Sequence, residues 1–215
     1  MAELYPGYDV MAKARTPSWN EQTRRVVEAR LAIDPEHHRF FTDAEWLTMK
    51  AVCDRIVPQN RAHPVPLAAM VDGKLADGEG DGYRNASLPP QADAWRLGLA
   101  ALEAEARARH GRCFHALEAA ERNALLTAMQ QGLLAGQAWA GMPSALFFSA
   151  RVLPDIVAAY YAHPLAWNEI GFGGPASPRG YVRMDFDRRD PWEAAEARPG
   201  HEAQAQRMNA RVGRT

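Results

Sequence analysis

Three residues that can bind metal ions lie close together in the segment 110–115. His110, Cys113 and His115 offer two imidazoles and a thiol, and this combination of ligands suits zinc. A fourth ligand is not evident, and the guanidinium of Arg112 would repel a dication. The cysteine also lacks the setting that would stabilise a thiolate nucleophile. We therefore predict no metal site here and expect His110 to cap the end of a helix.

Acidic residues alternate with glycines in the loop 77–82. Asp77, Glu79 and Asp81 are spaced as calcium ligands often are, but the position at which an EF-hand places its bidentate glutamate is Leu88. The glycines do not follow a predicted strand, and the carboxylates beside them would repel phosphate groups. The chain contains no G-x-G-x-x-G sequence. We therefore predict that it binds neither calcium nor a flavin or nicotinamide nucleotide.

The densest cluster of aromatic and titratable side chains lies between residues 160 and 169. It contains His163, Trp167 and Glu169, and a glycine-rich stretch follows it. Three interpretations are open: a packed lid on the core, a surface that binds another protein, and an acid–base site in which His163 and Glu169 act with Asp155. Composition alone ranks these interpretations in that order.

The elements that must position these residues are predicted to be helices. Apolar side chains recur at helical spacing in five segments, and a start signal alone indicates a further helix near the N-terminus. No stretch alternates apolar and polar residues for long enough to form a strand. Two helices begin with S/T-x-x-E signals, at Ser18 and Thr42, and Gly111 is placed to end another. Pro154 should kink or divide the last helix. The predicted helices span residues 18–33, 42–57, 66–75, 93–109, 121–134 and 143–161.

Composition and charge exclude several classes of protein. Of the 215 residues, 47% are hydrophobic and 24% are charged, which is typical of a folded globular protein. Lys and Arg total 25 against 26 Asp and Glu, so the basic surplus expected of a nucleic-acid-binding protein is missing. Cys53 and Cys113 are too few for a disulfide framework.

No membrane or export segment is predicted from the sequence. No run approaches the roughly 20 apolar residues that span a bilayer. The pair Arg24-Arg25 is followed by charged residues rather than by the uncharged run of a twin-arginine signal. We therefore expect no direct membrane insertion and a cytoplasmic location, with periplasmic co-export alongside a partner as the alternative.

A series of short motifs runs through the chain in order. The motifs are F-F-T-x-x-E at 40–45, D-R-I-V-P at 54–58, G-x-x-F at 111–114, Y-Y-x-H-P at 160–164, G-F-G-G-P at 171–175 and G-Y at 180–181. Taken together, they resemble the gluconate 2-dehydrogenase subunit 3 family over about residues 40–182. The expected fold is all-α: a compact multi-helix bundle with an irregular Gly/Pro-rich C-terminal arm.

The resemblance implies a small helical subunit that accompanies a larger flavoprotein of the glucose–methanol–choline (GMC) type. That flavoprotein binds FAD, oxidises a sugar, sugar acid or polyol, and can pass electrons to a cytochrome c or another acceptor. The chain itself would be a non-catalytic accessory subunit or chaperone without a cofactor of its own. The alternatives are a stand-alone helical scaffold or regulatory protein and, less favoured, an enzyme that uses His163 and Glu169.

We predict that residues 163–181, here called the arm, bind this partner. Trp167, Phe172 and Tyr181 would be anchors buried in the interface, where truncation of such residues commonly costs about 2 kcal/mol or more. The other residues assigned to this surface are His163, Glu169, Gly173, Gly174, Pro175 and Arg179.

The predicted organisation has three consecutive segments. Residues 1–39 are an N-terminal extension with one helix, and residues 40–182 are the helical small-subunit domain. Residues 183–215 are a charged tail with few large apolar side chains, so we expect the tail to be weakly ordered.

Overall fold

A computed structural model of the protein describes residues 3–80, 82, 85–178, 180–183 and 188–213. Regular structure in these residues is helical, and no strand occurs among them, which confirms the all-α prediction. The α-helices are α1 (Glu21–Leu31), α2 (Asp43–Ile56), α3 (Leu67–Ala76), α4 (Gln91–His110), α5 (Ala119–Gln130), α6 (Ser144–Phe147), α7 (Leu153–Ala162), α8 (Pro164–Ile170) and α9 (Glu202–Asn209). Short 3₁₀ helices form at Val10–Arg15, Phe114–Ala116 and Gln137–Trp139.

Contacts within the chain divide it into two units. The continuous unit is Ile33–Tyr160, and the terminal unit combines the chain before Ile33 with the chain from Tyr161 onward. This grouping differs from the three consecutive segments that we expected, because the two ends of the chain share one core. Seven buried residues form that core: Tyr8, Val10, Trp19, Val27, Trp167, Ala194 and Val212.

Helix α2 begins where its sequence signal predicts. The Thr42 hydroxyl accepts the backbone N–H of Glu45, and the Glu45 carboxylate accepts the backbone N–H of Thr42 at 2.9 Å. This reciprocal pair satisfies two amide groups that an isolated helix start leaves without partners. Gly111 ends α4 in the left-handed conformation at φ 67°, also as predicted.

Helix α1 begins two residues later than the Ser18 signal predicts. The cap is Asn20, whose side-chain oxygen accepts the backbone N–H of Thr23 at 2.8 Å. Ser18 is instead fully buried, and its backbone N–H donates to the hydroxyl of Thr16. Asparagine is as good an N-cap as serine, so the helix can begin at Asn20 while Ser18 is buried in the fold.

Proline divides the long helical stretch between Ser144 and Ala162. A π-helical segment, Phe148–Val152, separates α6 from α7, and Pro154 lies in the first turn of α7. Proline has no N–H to donate and its ring crowds the preceding turn, so the regular hydrogen-bond pattern widens just before it. The prediction of a divided helix is confirmed.

By length and composition alone, the stretch Ser144–Ala162 is also apolar enough to cross a membrane. This result corrects the expectation that no segment comes near that length. Within the stretch, Arg151 and Asp155 are buried against the rest of the chain. The same stretch contributes Phe147, Val152 and Ile156 to buried positions.

The end of the chain is more ordered than the sequence suggested. Residues 202–209 form α9, and the Asn209 side chain is buried. Its amide accepts the backbone N–H of Ala195 at 2.6 Å and donates to the carbonyls of Ala195 and Pro6 at 3.0 Å. Asn209 therefore joins α9 by hydrogen bonds to Ala195 and to Pro6, near the start of the chain. The number of large apolar residues in the tail does not indicate this arrangement.

Candidate functional site

Helix α8 opens the arm, and His163 caps it. The imidazole Nδ1 accepts the backbone N–H of Leu165 at 3.3 Å, and Pro164 occupies the first helical position, where its missing N–H costs nothing. His163 is buried. The helix has seven residues and was not predicted, because two turns are too short to show a clear hydrophobic period. Gly171 ends it at φ 65°.

Trp167 lies in the core of the terminal unit, with only 2% of its surface exposed. Its indole Nε1 donates to the carbonyl of Tyr161 at 2.6 Å, and the Arg30 guanidinium lies 5.8 Å from its ring. The ring of Phe172 meets it edge-on at 5.7 Å. Trp167 therefore packs in the core of the terminal unit and contacts Phe172 of the arm. This buried position differs from the interface position that we predicted.

The glycines of the arm are required by the aromatic rings packed against them. A Cβ atom on Gly174, at φ 67°, would lie 2.9 Å from the rings of both Trp19 and Trp167. A Cβ atom on Gly171 would lie 2.5 Å from the ring of Tyr5. Only glycine allows the backbone to pass this close to three aromatic side chains.

Two aromatic side chains of the arm are exposed. Phe172 is 39% exposed and Tyr181 is 72% exposed, and their rings stack at 6.3 Å with an angle of 25° between the planes. Val182 beside them is 79% exposed. We call the two stacked residues, Phe172 and Tyr181, the aromatic patch. Isolated apolar residues are common on surfaces, whereas stacked aromatic side chains held in place are typical of protein interfaces.

The remaining residues predicted to bind a partner differ in exposure. Glu169 is exposed on α8, while Gly173 and Pro175 are partly exposed and Gly174 is buried. Arg179 lies outside the described residues. The partner-binding role of the arm stays a prediction, and within the described residues its accessible aromatic surface is the aromatic patch.

A cavity of about 330 Å³ adjoins the aromatic patch. Its wall includes Tyr5, Lys13, the loop 171–174, Tyr181 and Trp192. Arg183 and Glu193, on the same wall, form an ion pair at 2.9 Å. Near this cavity, burial raises the pKa of the Tyr8 phenol above its ordinary value, and the charges of Asp9 and Glu193 act in the same direction.

The segment with metal-ligand spacing forms ion pairs and hydrogen bonds instead. His110 Nδ1 lies 3.3 Å from the Glu121 carboxylate, and the Cys113 sulfur accepts a hydrogen bond from Arg107 at 3.2 Å. A hydrogen bond to Glu103 raises the pKa of the Cys113 thiol, which makes it a poorer nucleophile. In the described part of the chain, no three His, Cys, Asp or Glu side chains lie close enough to hold a metal ion.

Asp155, the third residue of the acid–base alternative, is buried in the continuous unit. Its carboxylate accepts the indole N–H of Trp95 at 2.8 Å, and both of its oxygens accept from the Gln91 amide, at 3.1 and 3.0 Å. The Lys74 ammonium lies 3.5 Å away. By accepting hydrogen bonds from α4 side chains, the Asp155 carboxylate joins α7 to α4. The only sequence signal for this buried carboxylate was an acidic residue within an apolar helix.

The described residues define an all-helical protein with two stacked aromatic side chains exposed on the arm. The model of the family described as gluconate 2-dehydrogenase subunit 3 matches residues 43–174. This match covers more than half of the chain, and the chain therefore belongs to that family. Members of this family are accessory subunits of the gluconate 2-dehydrogenase complex. Neither a curated protein nor a solved structure matches the chain.

Proposed function

We propose that this chain is a non-catalytic accessory subunit that binds and stabilises an FAD-dependent GMC-type oxidoreductase acting on a sugar or sugar acid. In this proposal the partner holds the FAD, since a chain without a glycine-rich phosphate-binding turn has no evident means of holding the dinucleotide. The partner also carries out the oxidation and passes the electrons to a cytochrome c or another acceptor.

The observation that carries the proposal is the exposed aromatic patch on the arm. The Phe172 ring packs edge-on against the buried Trp167 and stacks with Tyr181, so Phe172 in particular would lose little side-chain freedom when a partner covers it. Large aromatic residues with this degree of preorganisation are the usual energetic centres of protein interfaces.

Catalysis by His163 with Glu169 and Asp155 is less well supported. The Nδ1 atom of His163 already accepts a backbone N–H as a helix cap, and both oxygens of Asp155 accept hydrogen bonds from neighbouring side chains. General acid–base catalysis needs a group that can reach a substrate proton, and His163 is 3% exposed. These contacts favour a structural role for both residues.

Co-expression tests the proposal. The chain is produced with and without an FAD-binding gluconate 2-dehydrogenase-type subunit from the same genome, and each product is separated by size exclusion with flavin absorbance recorded. We expect the two chains to co-elute in one flavin-containing peak and the flavoprotein to lose FAD or precipitate when produced alone. A flavoprotein that is soluble, fully loaded and active alone, and that elutes apart from this chain, would support the scaffold alternative instead.

Removal of the aromatic patch should weaken the complex. The double variant Phe172→Ala/Tyr181→Ala is expected to raise the dissociation constant by about 30-fold or more, equivalent to about 2 kcal/mol. Binding is measured on the co-expressed complex, from the concentration at which the two chains separate on dilution, and circular dichroism checks that the variant is folded. Leu133→Ala is the matched control, since Leu133 is equally apolar and 67% exposed but lies in the continuous unit. Unchanged binding of the double variant would contradict a role for the patch.

A further inference from the structure

We propose that the N-terminal stretch Tyr5–Asn20, here called the clamp, holds residues 171–176 of the arm, the glycine loop, in the conformation that presents Phe172. Lys13 is the main positioning residue. The effect on the loop is a property of this chain alone. Its consequence for partner binding rests on the function proposed above. Most of the loop lies within the residues matched by the family model, whereas the clamp lies outside them.

Lys13 makes the central contact. Its ammonium donates to the carbonyl of Gly173 and lies 5.6 Å from the centre of the Trp19 ring. The side chain is buried, with 3% of the residue exposed. A buried ammonium is stable only where polar groups replace its water, so this bond restrains both the lysine and the loop.

Three further contacts join the clamp to the arm on both sides of Gly173. The backbone N–H of Val10 donates to the Asn168 side chain at 2.8 Å, and the backbone N–H of Asn20 donates to the carbonyl of Ser177 at 3.0 Å. The Tyr5 ring lies against the α-carbon of Gly171. Clamp contacts therefore reach the arm before, within and after its glycine loop.

The glycine loop needs contacts from the clamp because its own backbone forms few hydrogen bonds that would order it. The stretch 172–176 contains three consecutive residues with a glycine or proline backbone and no regular secondary structure. At its start, the Phe172 N–H donates to the carbonyl of Trp167, on α8, at 2.9 Å. Glycine loses more conformational freedom on ordering than any other residue, so external contacts must offset that loss.

Amide hydrogen exchange in the isolated chain tests the clamp without any partner. In Lys13→Met the aliphatic stem remains and the donor is lost, so the N–H groups of Phe172 and Asn20 should exchange at least about tenfold faster. Helices of the continuous unit should keep their exchange rates. Lys50→Met is the matched control. The Lys50 ammonium also donates to an oxygen, on Glu36, and lies 5.9 Å from the centre of the Trp46 ring.

A second pair of variants separates positioning from general stability. Lys13→Arg keeps the charge and the donor, and the adjoining cavity gives the larger group room, so exchange should return toward the wild-type rate. Asn168→Ala removes a different clamp contact and should also speed exchange at Phe172. If Lys13→Met fails to fold, these two variants carry the test. Unchanged exchange at Phe172 in Lys13→Met and Asn168→Ala would overturn the clamp.

Partner binding completes the experiment. The Lys13→Met variant should bind the flavoprotein about tenfold more weakly than the wild type, while Lys50→Met should bind normally. Faster exchange in a chain whose wild type does not bind the flavoprotein would retain the clamp and reject the proposed function. Normal binding with unchanged exchange would reject the clamp and retain the proposed function.

Discussion

Substitution of Asp72 by alanine should destabilise the continuous unit by about 3–5 kcal/mol. Asp72 lies on α3 with 1% of its surface exposed, and its carboxylate accepts three consecutive backbone N–H groups. The donors are Arg39 at 2.7 Å, Phe40 at 3.0 Å and Phe41 at 2.9 Å. Alanine leaves these amides without an acceptor, and each one then costs its own desolvation free energy.

Two variants show whether the carboxylate itself is responsible. Asp72→Asn keeps one acceptor oxygen and should cost less than Asp72→Ala. Asp77 lies just beyond the same helix, and both side chains of its ion pair with Arg39 are about half exposed. Asp77→Ala should therefore change the free energy of unfolding by less than about 1 kcal/mol. Urea denaturation followed by tryptophan fluorescence measures all three. Equal stabilities for Asp72→Ala and Asp77→Ala would show that the three amides do not depend on Asp72.

The second large effect is expected at Gly98, in the middle of α4. A Cβ atom there would lie 2.2 Å from Cζ and 2.3 Å from Cε1 of the Phe147 ring. That ring is buried between Trp95 and Trp139, at centroid distances of 5.5 and 6.2 Å, and cannot easily move aside. Gly98→Ala should therefore destabilise the unit by about 2 kcal/mol, although alanine favours an isolated helix by about 1 kcal/mol.

Gly73 is the matched control for Gly98, since it also lies inside a helix. Its nearest neighbour for an added Cβ is the Arg39 guanidinium at 3.8 Å, an ordinary contact. Gly73→Ala should therefore stabilise the unit by up to about 1 kcal/mol. Thermal unfolding of both variants measures the predicted opposite signs, and stabilisation by Gly98→Ala would contradict the packing seen around Phe147.

Relief of the clash gives a further check on Gly98. Phe147→Leu removes the ring atoms that an alanine at position 98 would meet, so the two substitutions together should cost at least about 1 kcal/mol less than the sum of the single ones. Simple additivity in this double-mutant cycle would mean that Gly98 and Phe147 do not press on each other.

Local features of the fold could be predicted from the sequence. The cap at Thr42, the stop at Gly111 and the division of the helix near Pro154 each depend on a few adjacent residues, and the structure has all three. Their physical causes act over one or two helical turns, so a sequence window contains all the groups involved. The family is also evident in short motifs along the chain.

The order of the chain end and the role of Trp167 could not be predicted in this way. Residues after 183 have few large apolar side chains, yet Asn209 binds groups on Ala195 and Pro6 that lie far apart in the sequence. Trp167 looked like an interface anchor because aromatic residues in a glycine-rich segment suit either a core or a surface. Only the position of Trp19 and Tyr8 around the same core distinguishes the two.

The sequence by itself determined the helical class, the start of α2, the end of α4 and membership of the family, because these follow from local hydrogen-bonding and from the spacing of residue types. The tertiary structure alone decided which glycines tolerate a side chain, which carboxylates serve as buried acceptors and which aromatic residues remain accessible. Those properties depend on atoms brought together from distant parts of the chain, so burial and close packing set them after the local elements have formed.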